Sequence, residues 1–291
     1  MVNALAWLSA GLLVPGLFVL GQAAVPQSEA DLKAVLVPFY GREAAEYEFF
    51  LDTGHEQKLQ LHKQPVMTWT NADRYMGAVF VWTYGGRPEI IGCIGSRQGR
   101  PGDSLVFHEF HSLSRQALEA VRFGRGKQQW NPSGPGVELA VVEGAPAPSD
   151  SERLRLAQMR NIAREFTGWM KDNNDVTELR LLPQPIFRYK SPERGVVDGA
   201  IFARVWKGTD PEVLLLIEDR KDDADNRWHF ALARFNYREM WVKRNDREVW
   251  RVGVARENDV YITGEVGATT LDEIRATAPQ PDKPARSAPP K

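Results

Sequence analysis

The 291-residue sequence contains a single cysteine, Cys93, and has almost no net charge. One cysteine excludes an internal disulfide and any metal site built from several thiolates. Lysine and arginine number 37 and aspartate and glutamate 38, so the formal net charge is −1. Such a balance does not favour a surface that follows the phosphates of a nucleic acid through bulk positive charge. We therefore predict no nucleic-acid partner.

The common catalytic motifs are also missing. Gly95–Gly99 has the wrong spacing for a nucleophile elbow, and Gly124–Lys127 lacks the first glycine of a phosphate-binding loop. His108 and His111 are three residues apart, whereas a zincin places its histidines four apart on a helix. In a strand these two side chains point in opposite directions. We expect no cofactor and no metal, and we favour a protein that is not an enzyme.

The amino terminus has the features of an export signal. An apolar run covers Ala4–Leu20, and Gly21 and Ala23 supply the small residues of a cleavage site. We predict a signal peptide over residues 1–23, a mature chain without a membrane span, and a periplasmic or extracellular location. A retained membrane anchor is the alternative, although Pro15 and the short run weigh against it.

The sequence repeats itself at an interval of roughly 120 residues. Phe110 matches Phe230 and Trp130 matches Trp250. Three longer blocks also match, with small shifts that loop insertions explain: Leu59–Val66 with Leu179–Ile186, Gly77–Phe80 with Gly199–Phe202, and Pro88–Ile91 with Pro211–Leu214. The pattern predicts two duplicated units with repeat cores at 59–130 and 179–250.

Each unit has the pattern of an antiparallel β-meander, because β-branched and aromatic runs alternate with short turn sequences. Between the units, apolar residues at helical spacing predict an amphipathic connecting helix over Glu152–Met170, behind a capping box at Ser149 and Glu152. A shorter helix is predicted over Glu29–Val37. The predicted fold class is α+β, with two duplicated antiparallel β-meander units and a connecting amphipathic helix.

The predicted domain boundaries follow from this pattern. The first β-rich unit covers 24–142, a linker covers 143–150, and the connecting helix with the second unit covers 151–263. Residues 264–291 are predicted to form a short helix and a disordered tail, because their end is rich in proline and alanine.

Three sequence blocks, Leu-x-Leu-x-x-Gln-Pro, Gly-Ala-x-Phe and Gly-x-x-Pro-Glu, occur in both units. They resemble a family of uncharacterised exported bacterial proteins with a tandem-duplicated β-rich unit. The resemblance covers residues 59–250. It implies the unit boundaries and carries no known activity, cofactor or catalytic residue.

Glu109 and His111 are the weak catalytic candidates. Strand alternation places both on one face of the sheet, where a carboxylate beside an imidazole can act as a base with its orienting partner. We favour the alternative that the two residues have no catalytic role and form a polar surface or rim pair on a sheet whose other face is part of the core. A periplasmic or extracellular hydrolase, or a metal-assisted enzyme, that uses Glu109 and His111 is therefore our second functional hypothesis.

Trp82 and Tyr84 are the candidate ligand-binding residues. With Phe80 they form an aromatic ladder along one strand face. Trp82 is matched by Arg204 in the second unit, which suggests that this position is not core and that Trp82 contacts a ligand. The first functional hypothesis is accordingly an exported binding or scaffolding protein of the cell envelope, with an unknown envelope ligand or protein as its partner.

Charged residues also recur. Glu89 matches Glu212 after a proline, and Arg74 matches Arg194 in an adjacent turn. We interpret these residues as fixing hairpins through ion pairs or backbone caps, in preference to a binding groove. The acidic segment from Asp219 to Asn226 lacks the register of a calcium loop and is interpreted as a solvated loop.

Overall fold

The computed structural model describes residues 28–71, 73–99, 103–122, 130–221 and 226–277. The predicted signal peptide, the segment Gly124–Lys127, most of the acidic loop and the end of the predicted tail lie outside these residues. Within the described ranges, no helix has both the length and the apolar character that crossing a membrane requires.

The described residues form three α-helices, a short 3-10 helix and seventeen strands, and every strand pairing is antiparallel. The prediction of a chain rich in antiparallel sheet with few helices is therefore confirmed. The elements are α1 (Glu29–Ala45), β1 (Glu48–Phe50), β2 (Gln60–Leu61), β3 (Met67–Thr70), β4 (Tyr75–Tyr84), β5 (Arg87–Gln98), β6 (Asp103–Ser112), β7 (Glu119–Arg122), β8 (Ala140–Val141), α2 (Glu152–Arg164), β9 (Phe166–Asp172), β10 (Asp175–Leu181), β11 (Phe187–Ser191), the 3-10 helix (Pro192–Arg194), β12 (Val196–Val205), β13 (Pro211–Arg220), β14 (Trp228–Arg234), β15 (Glu239–Arg244), β16 (Arg247–Val252), β17 (Tyr261–Thr270) and α3 (Leu271–Ala276).

The first large sheet has the strand order β17-β6-β5-β4-β2, with β3 also paired to β4. The long strands β4 and β5 are joined by Gly85 and Gly86, whose φ angles are 54° and 86°. Two successive residues with positive φ give a turn whose twist matches that of the strands, and glycine adopts this conformation without steric strain. The turn fixes the register of the hairpin.

The second large sheet has the order β16-β15-β9-β10-β12-β13-β14-β8, with β11 also paired to β12. Its strand β13 contains the apolar run Val213–Ile217, which is buried along its whole length. The alternate side chains Val213 and Leu215 pack on one face and Leu214 and Leu216 on the other. The expectation that this strand is covered on both faces is confirmed.

Three apolar clusters define the layers. The middle cluster joins the two large sheets and contains Val79 and Cys93 from one and Ile201 from the other. An outer cluster packs α1 on the first sheet, and a second outer cluster packs α2 on the second sheet. The layer order is therefore helix, sheet, sheet, helix. Cys93 is an apolar core residue, as its sequence context predicts.

The two sheets exchange edge strands. β8, which follows the strands of the first sheet in the chain, pairs with β14 of the second sheet. β17, which follows the strands of the second sheet, pairs with β6 of the first sheet. The two halves of the chain are therefore tied together by backbone hydrogen bonds as well as by the middle cluster, and β17 brings Tyr261 next to the face of β6.

The helix predicted over Glu152–Met170 is shorter than expected. α2 ends at Arg164, and Phe166 and Met170 belong to β9. These two residues are four apart, a spacing that places them on one face of a helix and also on one face of a strand. The strand forms here because β9 has a hydrogen-bonded neighbour on each side, β10 and β15.

The predicted capping box of α2 is wrong. The N-cap is Ser151, and its side chain makes no capping hydrogen bond. The hydroxyl of Ser149 instead accepts a hydrogen bond from the Ser151 backbone N–H at 3.2 Å. A capping box does begin α1, where Ser28 and Asp31 bond each other's backbone N–H groups. That helix continues to Ala45, well beyond the predicted end.

The boundary predicted between 263 and 264 falls inside β17, which runs to Thr270. α3 follows at once, and Leu271 and Ile274 are buried in the outer cluster beneath α1. This segment is therefore part of the packed structure. Residues 278–291, which carry most of the predicted disordered tail, lie outside the described part.

Candidate ligand-binding site

A cavity of about 570 Å³ is lined by residues of both large sheets. Six acidic side chains line it, and we name it the carboxylate cavity after three of them, Glu109, Asp210 and Glu212. Aromatic and cationic side chains surround them. The lining aromatic residues are Trp69, Tyr75, Phe107, Trp206, Phe235 and Tyr237.

Strand alternation directs Glu109 towards the cavity. In β6, Val106 and Phe110 pack in the outer cluster against α1, whereas Phe107 and Glu109 alternate with them and line the cavity. β17 is the neighbouring strand, and its Tyr261 hydroxyl donates a short hydrogen bond to Oε1 of Glu109. The exchanged strand thus holds the carboxyl group in place.

Asp210 and Glu212 flank Pro211 at the start of β13. Glu212 is only 2% exposed, and its backbone carbonyl accepts a hydrogen bond from the Phe235 N–H at 2.7 Å. The Asn236 side chain interacts with the carboxylate, but the oxygen Oε2 has no hydrogen-bond partner. An unpartnered buried carboxylate oxygen is costly, so this group favours any ligand that supplies a donor.

The three carboxyl groups hold their protons more tightly than usual. Burial raises the pKa of Glu109 to about 7, against the opposing hydrogen bond from Tyr261. Burial also raises the pKa of Asp210 and of Glu212 well above the usual range, and mutual repulsion among the three acids adds to the shift. Near neutral pH the cavity therefore contains carboxyl groups that can release protons when a cation approaches.

Several cationic side chains in the lining lie over aromatic rings. The Lys207 ammonium lies 4.4 Å from the ring centre of Trp206, and the Arg238 guanidinium lies 5.5 Å from it. Arg256 lies 4.3 Å from the ring centre of Tyr237. Lys207 and Arg256 are exposed and Arg238 is half-buried, whereas Glu212 is buried. The aromatic faces show that the site already accommodates cations over π systems.

His111 is not part of the cavity lining. It is 3% exposed, and its Nδ1 donates a hydrogen bond to the Ser112 carbonyl at 2.7 Å. Burial lowers its pKa to about 4, so the ring is neutral at pH 7. Glu109 and His111 lie on the same strand face, as predicted, and both are next to Tyr261. The partner of Glu109 is thus a tyrosine on another strand.

The prediction that Trp82 lies outside the core is wrong. Trp82 is 1% exposed, and its ring lies 5.4 Å from that of Phe49 and 5.7 Å from that of Phe110. Arg204, which the sequence comparison pairs with Trp82, is also buried. Its Nη1 donates a hydrogen bond to the Leu179 carbonyl at 2.9 Å, which compensates for part of the cost of burial. A guanidinium with a backbone partner can occupy a core position, so the contrast between the repeats was misleading.

Tyr84, the second predicted ligand residue, is half-buried and packs against the outer cluster. The Arg194 guanidinium lies 6.0 Å from its ring centre. Neither Tyr84 nor Trp82 is among the residues that line the carboxylate cavity.

Sequence reasoning missed Asp210, Tyr261 and Arg238. The segment Asp210-Pro211-Glu212 places two acidic residues at the start of a strand, and this local pattern could have indicated Asp210 as a site residue. Tyr261 is brought in by strand exchange, which has no local signal. Arg238 forms an ion pair with Asp172, with 3.0 Å between Nε and Oδ1, and that pairing also depends on distant strands.

Among the residues that the structure describes, no group of three or more histidine, cysteine, aspartate or glutamate side chains is arranged to hold a metal ion. Comparison of the chain with models of protein families, with curated proteins and with solved structures finds no match.

Proposed function

We propose that this protein is an exported binding protein of the cell envelope, and that the carboxylate cavity binds a small organic cation with an amine or guanidinium group. The observation that carries the proposal is the buried carboxylate of Glu212, which lines the cavity and has an oxygen without a hydrogen-bond partner. An ammonium or guanidinium group supplies several N–H donors and a compensating charge.

The distribution of charge supports a cation as the ligand. Glu212 is buried, and Asp210 and Glu109 are half-buried. Of the lining cations, Arg97, Lys207 and Arg256 are exposed, and the half-buried Arg238 forms an ion pair with Asp172. A ligand cation that reaches Glu212 therefore meets an acceptor, Oε2, that has no hydrogen-bond partner. The volume of about 570 Å³ lies within the usual range for small-molecule sites.

Titration of the purified protein with agmatine and putrescine tests the proposal, with the uncharged 1,4-butanediol as the matched ligand control. Trp69 and Trp206 line the cavity, so their fluorescence reports binding. We expect the cations to bind more tightly at pH 8 than at pH 5, because ionised carboxylates are needed and the raised pKa values keep them protonated at low pH.

Glu212→Gln is expected to weaken cation binding at least tenfold, since a charge-assisted hydrogen bond is lost. Glu56→Gln, at an exposed glutamate, is the control and should bind as the wild type does. Equal binding of 1,4-butanediol and the amines, or unchanged binding by Glu212→Gln, would contradict the proposal.

The second candidate is a hydrolase or metal-assisted enzyme that uses Glu109. A carboxyl group with a pKa of about 7 suits general acid–base chemistry near neutral pH. His111, which the original hypothesis paired with Glu109, is fixed by Ser112 and does not line the cavity. Hydrolysis of ester, amide and glycoside substrates by the wild type, abolished in Glu109→Gln, is the result that would favour this candidate.

The duplication belongs to the proposal as well: we infer that the two halves descend from one unit with cores at 59–130 and 179–250. Matching strand orders support it, since β2-β4-β5-β6 and β10-β12-β13-β14 follow the same path, with β3 and β11 paired to equivalent strands. The reciprocal pairing of β8 and β17 adds a second correspondence. The export signal stays a prediction, which amino-terminal sequencing of secreted protein tests.

A further inference from the structure

A second cavity, of about 450 Å³, is lined by four arginines. We name it the arginine cavity. Arg87 starts β5, Arg220 ends β13, and Arg115 and Arg194 lie in the adjoining loop and 3-10 helix. It shares no lining residue with the carboxylate cavity.

Arg87 is the central residue of this cavity. It is 1% exposed, its Nε donates to Glu218 Oε1 at 3.0 Å, and its Nη1 donates to Glu89 Oε2 at 3.1 Å and to the Leu113 carbonyl at 2.9 Å. The remaining nitrogen, Nη2, has no hydrogen-bond partner. A buried guanidinium with an unused donor is unusual, because leaving a charged donor unpaired costs free energy.

The neighbouring carboxylates are already shared. Glu218 also accepts from the Tyr189 hydroxyl at 2.7 Å and from Arg220 Nη1 at 2.6 Å. Glu89 lies 3.4 Å from Arg194 Nη2 as well as beside Arg87. Among the residues that line the cavity, four are arginines and one, the exposed Glu193, is an acid. The lining is therefore composed mainly of cationic side chains.

We propose that the arginine cavity binds a small oxyanion through a carboxylate or phosphate group. The planar guanidinium group presents paired N–H donors that match two oxygens of such an anion. The buried Nη2 of Arg87 supplies one donor, and Arg115 and Arg194 supply further positive charge at the opening. Both anion types share this chemistry, so the experiment must distinguish them.

Calorimetric titration of the full-length protein with inorganic phosphate and with succinate, each against sodium chloride at equal ionic strength, provides the test. We expect saturable binding of one of the two anions. Arg115→Gln and Arg194→Gln are expected to weaken that binding at least tenfold, because each removes a charged donor. Arg153→Gln, at an exposed arginine on α2, is the matched control and should leave binding unchanged.

Arg87→Gln is less suitable as a first test, since the loss of Arg87 also removes partners of Glu218 and Glu89. Saturable binding that falls in Arg115→Gln or Arg194→Gln supports the proposal, and the preferred anion identifies the head group. Heats no larger than those of chloride, or wild-type binding by both variants, would overturn it.

Discussion

The carboxylate cavity and the arginine cavity use positions that match in the two halves of the chain. Glu212 corresponds to Glu89, and both follow a proline at a strand start. Immediately before that proline, Asp210 in one cavity corresponds to Arg87 in the other. Similar backbone positions therefore carry side chains of opposite charge.

The two cavities also share strands. β13 contributes Glu212 to the carboxylate cavity and Arg220 to the arginine cavity, whereas β5 contributes Arg97 to the former and Arg87 to the latter. The glutamates at the matching positions, Glu89 and Glu212, have different charged neighbours. Burial raises the pKa of both glutamates, but Arg87 and Arg194 oppose the shift at Glu89, whereas repulsion from Asp210 adds to it at Glu212. The residue two positions before the glutamate, Arg87 in one half and Asp210 in the other, therefore shifts the pKa of that glutamate in opposite directions.

Glu218→Gln should have the largest effect on stability. The wild-type carboxylate bonds Arg87, Arg220 and Tyr189, and these bonds hold its pKa below the usual value despite burial. Removing one member of a buried ion pair costs about 3 to 5 kcal/mol, because the remaining charges lose their partner. Urea unfolding at pH 7 measures the loss. A loss below about 1 kcal/mol would show that the arginine cavity does not depend on this network.

Much of the fold could be predicted from the sequence, because strand periodicity and the hairpin glycines are local signals. These signals predicted antiparallel strands joined by short turns, as the structure has them. The end of α2 was not, since a spacing of four residues suits a helix and a strand alike. The strand exchange could not be predicted either, because it depends on pairings between distant segments.

The candidate site could be predicted only in part. Glu109 was singled out, but its partner Tyr261 and the buried acid pair at Asp210 and Glu212 depend on tertiary packing. Trp82 was misassigned because a buried arginine at the matching position suggested exposure. Arg204 is tolerated there through a backbone hydrogen bond, which only the three-dimensional structure reveals.

Glu109→Gln should change the pH dependence of stability. The pKa of Glu109 is about 7 in the folded protein and 4.5 as the ordinary value, so the folded state binds the proton more tightly. Its contribution to stability is full below pH 4.5 and is lost as pH rises to 7, by up to about 3 kcal/mol. Chemical unfolding across this range should show a steeper decline in the wild type than in the variant, where Asp210 and Glu212, whose pKa values are also raised, still contribute. An identical decline in both would place the titration on another group.

His111→Asn should remove a pH dependence of the opposite sign. Burial lowers the pKa of His111 to about 4, so its contribution is full above pH 6.5 and is lost as pH falls towards 4. In the wild type the two contributions oppose each other between pH 4.5 and 6.5. We expect stability to fall more steeply with rising pH in His111→Asn than in the wild type, and less steeply in Glu109→Gln. Parallel pH profiles in the two variants would contradict this assignment.

Glu212→Gln should have the smallest effect on the ligand-free protein, and it sharpens the contrast with Glu218→Gln on the same strand. Because the pKa of Glu212 is raised well above its usual range, the side chain is neutral in mildly acidic solution, and an amide of similar shape replaces it at little cost. We expect a change within about 0.5 kcal/mol at pH 6, as for substitutions that break no favourable contact.

At pH 9 the same variant should be more stable than the wild type. The wild-type carboxyl group ionises at high pH, which is unfavourable because the group is buried near Asp210 and Glu109, whereas the amide stays neutral. Urea unfolding at the two pH values measures both effects. A loss of stability comparable to that of Glu218→Gln would mean that Glu212 is held as an ionised, paired carboxylate like its neighbour six residues along β13. In that case the two cavities would differ in shape alone, and the case for a cation as the ligand of the carboxylate cavity would lose its main support.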